Sequence, residues 1–128
     1  MSLINNLNII IWDRKFSINI VYDRYSGEKI TRNQINAFER FCDNLQWLEN
    51  AKNEVLKHCK NDVNNDFNNL KKDNIFSYIK PESIFIKRDD INCRVALMCK
   101  YRYDQEHGLA IVFDKNGNVT IGIQDIII

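Results

Sequence analysis

The stretch CRVALMCKYRY-DQEHG-LAIVF-DKNGN-VTIGIQ, residues 93–124, decides the fold of this chain. Three runs in which apolar residues recur at every second position are separated by two turn sequences. This pattern is typical of a three-stranded antiparallel meander. Asn116-Gly117 in the second turn is a strong hairpin signal, because both residues tolerate a positive φ. We therefore predict three consecutive antiparallel strands in this part of the chain.

Alternation within the first of these strands separates an apolar face from a basic one. Successive side chains of a strand point to opposite sides of the sheet. One side carries Cys93, Val95, Leu97, Cys99, Tyr101 and Tyr103, and the other carries Arg94, Ala96, Met98, Lys100 and Arg102. We therefore expect the first side to be buried. The second side should form an exposed basic stripe.

A helical segment is predicted in the middle of the chain. Thr31 and Gln34 have the spacing of a capping box, in which the Thr hydroxyl accepts a bond from a free N–H and the Gln reaches back. Apolar residues then recur at helical spacing as far as Cys59. Asp43-Asn44 has low helix propensity, so we expect two helices to meet there or one helix to bend.

Strands on both sides of this helical segment complete the predicted fold. Alternation of apolar and polar residues predicts a first hairpin from residues 7–12 and 16–22. A short strand at 83–87 is predicted to follow a helical turn that ends before Pro81. Residues 60–74, rich in Asn and Asp, are predicted to be a connector, with a recognition loop as the alternative. The chain is thus predicted to be a single α+β domain over 1–128. Its mainly antiparallel sheet has about six strands in the order β-β-α-(α)-β-β-β-β, with the helices packed on one face.

Composition and charge argue against several classes of protein. The net charge is only +1, whereas a nucleic-acid-binding protein usually has a clear basic excess, so we expect no nucleic-acid partner. No run of roughly 18 apolar residues is present, and the N-terminus lacks the features of a secretory signal, so we expect no membrane association. The four cysteines lack C-x-x-C spacing and occupy apolar positions. We predict that they are reduced core thiols in a cytoplasmic protein.

The turn at residues 104–108 is where acidic residues, His and Gly crowd together. Asp104, Glu106 and His107, with Asp125, are candidate ligands of a metal or members of a general-base site. The structural alternative is that Gly108 closes the hairpin in the left-handed conformation, while Asp104 and His107 form local hydrogen bonds. No second His and no Cys ligand lie nearby, so we favour the structural alternative and predict no cofactor.

The basic stripe is the stronger candidate for function. Arg and aromatic side chains supply much of the affinity of protein interfaces. Arg94, Lys100 and Arg102 are therefore candidate contacts for an acidic patch of a protein partner, and Trp12 is a further anchor if its side chain is exposed. An RNA-binding sheet would need aromatic and basic residues on one face, whereas the alternation places them on opposite faces.

The C-terminal half resembles a family of small uncharacterised bacterial proteins. Its marks are a terminal hairpin of the form W-D-x-E-H-G-L and a later G-x-x-D, which stand here at 103–109 and 122–125. Two positions depart from that pattern, since Tyr103 replaces the usual Trp and Ala110 replaces a second Gly. Such proteins resemble the immunity proteins and accessory domains of bacterial polymorphic toxin systems, for which no enzymatic activity is established.

The resemblance implies two hypotheses. In the first, the protein is a non-enzymatic binding module that neutralises a toxin or binds another effector protein through its exposed sheet face. In the second, it is a metal-binding or hydrolytic protein that uses the Asp104-Glu106-His107 turn. The first predicts a tight complex, and the second predicts an activity that is lost when His107 is replaced.

Overall fold

A computed structural model describes residues 5–65 and 76–128, and for 61–65 it describes the backbone alone. Within these residues the order of elements confirms the predicted α+β layout, with a short 3₁₀ turn at Gln124–Ile126 after the last strand. The elements are β1 (Asn6–Ile11), β2 (Arg14–Tyr22), α1 (Arg32–Asp43), α2 (Gln46–Asn50), α3 (Lys52–Asn65), β3 (Ile79–Ile86), β4 (Val95–Tyr101), β5 (Leu109–Phe113) and β6 (Val119–Gly122).

The strands form one sheet in which they lie in sequence order, from β1 at one edge to β6 at the other. β2 and β3 are parallel, and every other neighbouring pair is antiparallel. The connection between these two strands contains α1, α2 and α3, which agrees with the long crossover that parallel neighbours need. The prediction of a mainly antiparallel sheet is therefore confirmed.

The helices cover one face of this sheet, and the main core lies between the two layers. The predicted capping box begins α1: Thr31 Oγ1 accepts the N–H of Gln34 at 3.1 Å, and Gln34 Oε1 accepts the N–H of Thr31 at 3.0 Å. α1 ends at Asp43 and α2 begins at Gln46, so the expected break at Asp43-Asn44 is also confirmed. No helix in the described part of the chain is long and apolar enough to cross a membrane.

Two predicted boundaries are wrong. α3 runs to Asn65, so residues 60–65 of the predicted connector are helical, while 66–74 lie outside the described residues. β3 begins at Ile79 and contains Pro81, which we placed before the strand. A proline inside a strand lacks an N–H donor, and the register with β4 shifts between Pro81 and Ser83, so a bulge accommodates the missing bond.

The face opposite the helices is partly covered, which corrects the predicted basic stripe. Ile127, just after the 3₁₀ turn, is only 1% exposed and packs on the middle of this face. The alternation of β4 showed which residues share the face but carried no information about a later segment folding over it. The buried cluster beneath Ile127 consists of Ala96, Met98, Ala110 and Val112, with Phe85 packed beside it.

Candidate functional site

A cleft of about 450 Å³ lies where the 3₁₀ turn at 76–78 and the start of β3 meet the end of β4. Two of the predicted partner-binding residues, Lys100 and Arg102, lie in its wall. The sequence interpretation missed the other polar side chains because it predicted only a short helical turn at 75–79, and alternation does not apply to a turn. Residues 76–78 do form a 3₁₀ turn, while residue 75 lies outside the described residues. The complete lining is Ser77, Tyr78, Lys80, Lys100, Tyr101, Arg102 and Gln105.

The cleft concentrates positive charge. Lys80 and Lys100 are paired directly across β3 and β4, so their side chains leave the same face of the sheet. Like charges opposite each other on neighbouring strands destabilise a sheet. Glu82 lies 3.6 Å from the ammonium group of Lys100, but the Lys100 side chain is 71% exposed and that of Glu82 is 40% exposed, and a solvent-exposed ion pair contributes little. With Arg102 added, the cations outnumber the carboxylate.

Arg102 is held in place by an aromatic ring. Its guanidinium carbon lies 4.5 Å from the centre of the Tyr78 ring, within the range of a cation–π interaction. The backbone N–H of Arg102 also donates to the carbonyl of Tyr78 at 3.0 Å. Tyr78 in turn contacts the ring of Tyr103, with the centroids 5.8 Å apart. The guanidinium is thus presented at the cleft with less freedom than an isolated surface arginine has.

The other two partner-binding candidates lie elsewhere. Arg94, beyond the other end of β4, forms a 2.7 Å ion pair with Asp89, and this bond helps to lower the pKa of Asp89 against the opposing effect of its burial. Trp12 was predicted to be an anchor only if its side chain is exposed. That side chain is 5% exposed and belongs to the main core. Its indole N–H donates to the carbonyl of Leu48 at 3.0 Å, which explains how its polar atom is accommodated.

The turn at 104–108 brings Asp104 and His107 together. An Asp104 carboxylate oxygen accepts the backbone N–H of His107 at 3.1 Å and lies 3.0 Å from its Nδ1. The backbone bond is the main cause that lowers the pKa of Asp104, and the carboxylate of Asp104 raises the pKa of His107, with smaller contributions from Glu106 and Asp125. These carboxylates favour the charged imidazolium, whereas a metal ligand or general base needs the neutral ring.

Gly108 shows the structural use of the same turn. It has a φ of +65°, as expected, and a Cβ added there would lie 2.8 Å from the carbonyl oxygen of Cys99 and 2.7 Å from Nε2 of Gln124. That Nε2 donates to the Cys99 carbonyl at 3.1 Å, and the backbone N–H of Gln124 donates to the carbonyl of His107 at 3.1 Å. The turn therefore fastens the segment that carries Ile127 onto the sheet. Within residues 5–65 and 76–128, no three His, Cys, Asp or Glu side chains are grouped to hold a metal ion.

All four cysteines are free thiols. Cys59 and Cys99 are fully buried, as predicted for core positions, whereas Cys42 and Cys93 are half-buried. Burial strongly raises the pKa of Cys99, so its thiol stays protonated and is a poor nucleophile.

Comparison with known proteins places the chain in a family. Among curated proteins and solved structures, none matches the chain significantly. The family model described as "Domain of unknown function (DUF6985)" matches residues 4–128, which is nearly the whole chain. The match includes the strands, the helices and the E-H-G-L turn, and it agrees with the expectation of an uncharacterised domain family. The chain therefore belongs to the DUF6985 family.

Proposed function

We propose that this protein is a non-enzymatic protein-binding module that holds an acidic segment of its partner in the cleft between β3 and β4. The observation that carries the proposal is the opposed pair of Lys80 and Lys100, with Arg102 beside it. A carboxylate placed among these groups would relieve their mutual repulsion and form charge-assisted hydrogen bonds. The partner class agrees with the resemblance to immunity proteins, in which a toxin or another effector is bound and neutralised.

The residues of the cleft suit a protein interface. Arg and Tyr are enriched among the residues that dominate binding energy, and here Arg102 is already stacked on Tyr78. A side chain that is ordered before binding loses less conformational entropy in the complex. Gln105 adds an amide that can donate to a second carboxylate oxygen or to a backbone carbonyl of the partner.

The size of the cleft suits the role of an anchor. A volume of about 450 Å³ holds one or two acidic side chains, whereas a stable protein interface buries roughly 800 Å² on each partner. The rest of the interface would therefore spread over the surface around the cleft. Because the net charge of the chain is only +1, the attraction is confined to this site and does not extend over the whole surface.

The proposed location is the cytoplasm. Structural disulfides form in oxidising compartments, whereas cytosolic proteins keep their thiols reduced. Four free cysteines, two of them fully buried, suit the reducing compartment. The partner would accordingly be met in the cytoplasm, as a toxin is by its immunity protein.

A defined acidic peptide tests the cleft without knowledge of the natural partner. We expect hexaglutamate to shift the NMR signals of Tyr78, Lys80, Lys100 and Arg102, and we expect Arg102→Glu to weaken the affinity at least about tenfold. Lys115→Glu is the matched control, because it makes the same change in net charge at an exposed position beyond the other end of the meander. The control should change the affinity less than about twofold.

Three results would contradict the proposal. An equal loss of affinity in the Lys115→Glu control would show that the peptide senses only the overall charge. NMR shifts confined to another surface would place the binding elsewhere. If a single-stranded oligothymidine bound the cleft more tightly than hexaglutamate at the same salt concentration, the ligand would be a nucleic acid and the partner class would be wrong.

A further inference from the structure

Within residues 5–65 and 76–128, the edge strand β1 has a row of backbone groups without a partner. The N–H of Ile20 donates to the carbonyl of Asn5 at 3.0 Å, and Ile11 pairs with Arg14 at the end of the hairpin. Bonded and non-bonded pairs alternate in an antiparallel ladder, so Leu7, Ile9 and Ile11 direct their backbone groups toward β2. The N–H and C=O groups of the remaining positions, Asn6, Asn8 and Ile10, point away from the sheet.

This edge lacks the features that usually protect an exposed strand. Lys, Pro and bulges commonly prevent pairing with another chain. β1 contains no charged residue and no Pro, and its register with β2 is continuous. Ile10 on this strand is 63% exposed. The opposite edge is shorter, because β6 has four residues against six in β1, and two of those four pack against the main core.

We propose that β1 is a homodimer interface, in which the β1 strands of two copies pair antiparallel about a two-fold axis at Asn8. The outward groups are self-complementary in this register. Asn8 faces its own counterpart, and Asn6 of each copy faces Ile10 of the other, so each outward position forms a reciprocal pair of hydrogen bonds. No like charges oppose each other across the axis, and the exposed side chain of Ile10 is partly covered.

A second copy fits this edge because the sequence of β1 is compatible with itself in the two-fold register. A two-fold axis at Asn8 matches Leu7 with Ile9 of the partner on the helix-covered face, where both positions are apolar. On the other face it matches Asn with Asn and Asn with Ile, so no charge is buried. The interface is independent of the basic cleft, since β1 is separated from β3 by the whole of β2.

Sedimentation velocity between about 1 μM and about 1 mM protein tests the dimer directly. Asn8→Pro removes the central outward N–H without removing a bond to β2, and Asn8→Lys places two ammonium groups opposite each other across the axis. We expect each substitution to raise the dimer dissociation constant at least about tenfold. Asn53→Lys, on the exposed side of α3, is the matched control and should leave the dissociation constant unchanged.

Hydrogen exchange followed by NMR supplies a readout that does not depend on the variants. The amides of Asn6, Asn8 and Ile10 should exchange quickly at low concentration and slowly at high concentration, whereas Leu7 and Ile9 should be protected throughout. A wild-type protein that remains monomeric over the whole range would overturn the inference. So would an Asn8→Pro variant that is folded by circular dichroism and dimerises as strongly as the wild type.

Discussion

Replacing Gln34 tests whether a single side chain joins the helix layer to the sheet. Gln34 is 1% exposed. It is the third residue of α1 and forms the capping box with Thr31. Its Oε1 accepts the N–H of Thr31, while its Nε2 donates to the carbonyls of Asp23 at 2.7 Å and Ile86 at 3.2 Å. The same amide therefore caps the helix and bonds to the residue after β2 and to the last residue of β3.

The magnitude follows from these bonds. Loss of the capping bond from the N–H of Thr31 to Oε1 of Gln34 costs about 1 kcal/mol. Each of the two Nε2 bonds contributes about 1 kcal/mol, the usual net value of a hydrogen bond in a folded protein, and the Ile86 carbonyl keeps the N–H of Asp23 at 2.9 Å when Gln34 is replaced. Gln34→Ala should therefore lower the free energy of unfolding by about 3 kcal/mol. At a urea dependence of about 1–3 kcal/mol per M, the unfolding midpoint falls by about 1–3 M.

Two further variants separate the contributions. Thr31→Ala removes only the helix cap and should cost about 1 kcal/mol. Gln34→Glu keeps the Oε1 acceptor but places a carboxylate oxygen against two carbonyls, so at neutral pH it should be at least as destabilising as the Ala variant. Its deficit should shrink as the pH falls and the introduced carboxyl is protonated. If Gln34→Ala costs no more than Thr31→Ala, the bonds to Asp23 and Ile86 contribute nothing and the reasoning is refuted.

Two other predictions concern the turns of the meander. Gly117→Ala should cost about 2–3 kcal/mol of stability in urea unfolding, because φ is +82° and the added Cβ would lie 2.7 Å from the Trp47 ring. Gly27→Ala, with φ +86° and no atom within 4 Å, should cost only about 1 kcal/mol, and equal losses would contradict the role of the ring. Because the pKa of His107 is raised and that of Asp104 is lowered in the folded state, their pairing should stabilise the fold most between about pH 4 and about pH 6.5. The difference in urea midpoint between wild type and His107→Ala should be largest near about pH 5 and should fall as the pH rises through the raised pKa of His107, and a constant difference would show that the pairing is not electrostatic.

The fold was predictable where local signals agreed with each other. Alternation, turn glycines and a capping box each depend on a few neighbouring residues, and they indicated the strands of the meander and the start of α1. Low helix propensity indicated a break or a bend at Asp43-Asn44, and the structure has the break. Pro81 misled the interpretation because a proline usually marks a boundary. Here the bulge in β3 lets the strand continue through it.

The site was less predictable because it depends on which strands become neighbours. Lys100 and Arg102 were recognised from their spacing in one strand. Lys80 becomes a candidate site residue only because it lies opposite Lys100 on the neighbouring strand. Trp is a residue type common at interfaces, but Trp12 belongs to the core. The turn after β1 directs its side chain toward α2, where its indole N–H bonds to the carbonyl of Leu48. The covering of β4 by Ile127 is a contact between distant segments, which no local pattern encodes.

The E-H-G-L turn and the basic cleft therefore carry different kinds of information. Gly108 is required by its left-handed φ and by the close approach of Cys99 and Gln124, so any chain with this C-terminal arrangement needs a glycine there whatever it binds. Lys80 and Lys100 have no such structural requirement, and their mutual repulsion costs stability. The E-H-G-L turn is required by the fold and therefore identifies the fold. The basic cleft is not required by the fold, so we look for its explanation in function. The search for a partner should accordingly begin at the cleft, and the turn should be treated as the fastening of the C-terminal segment.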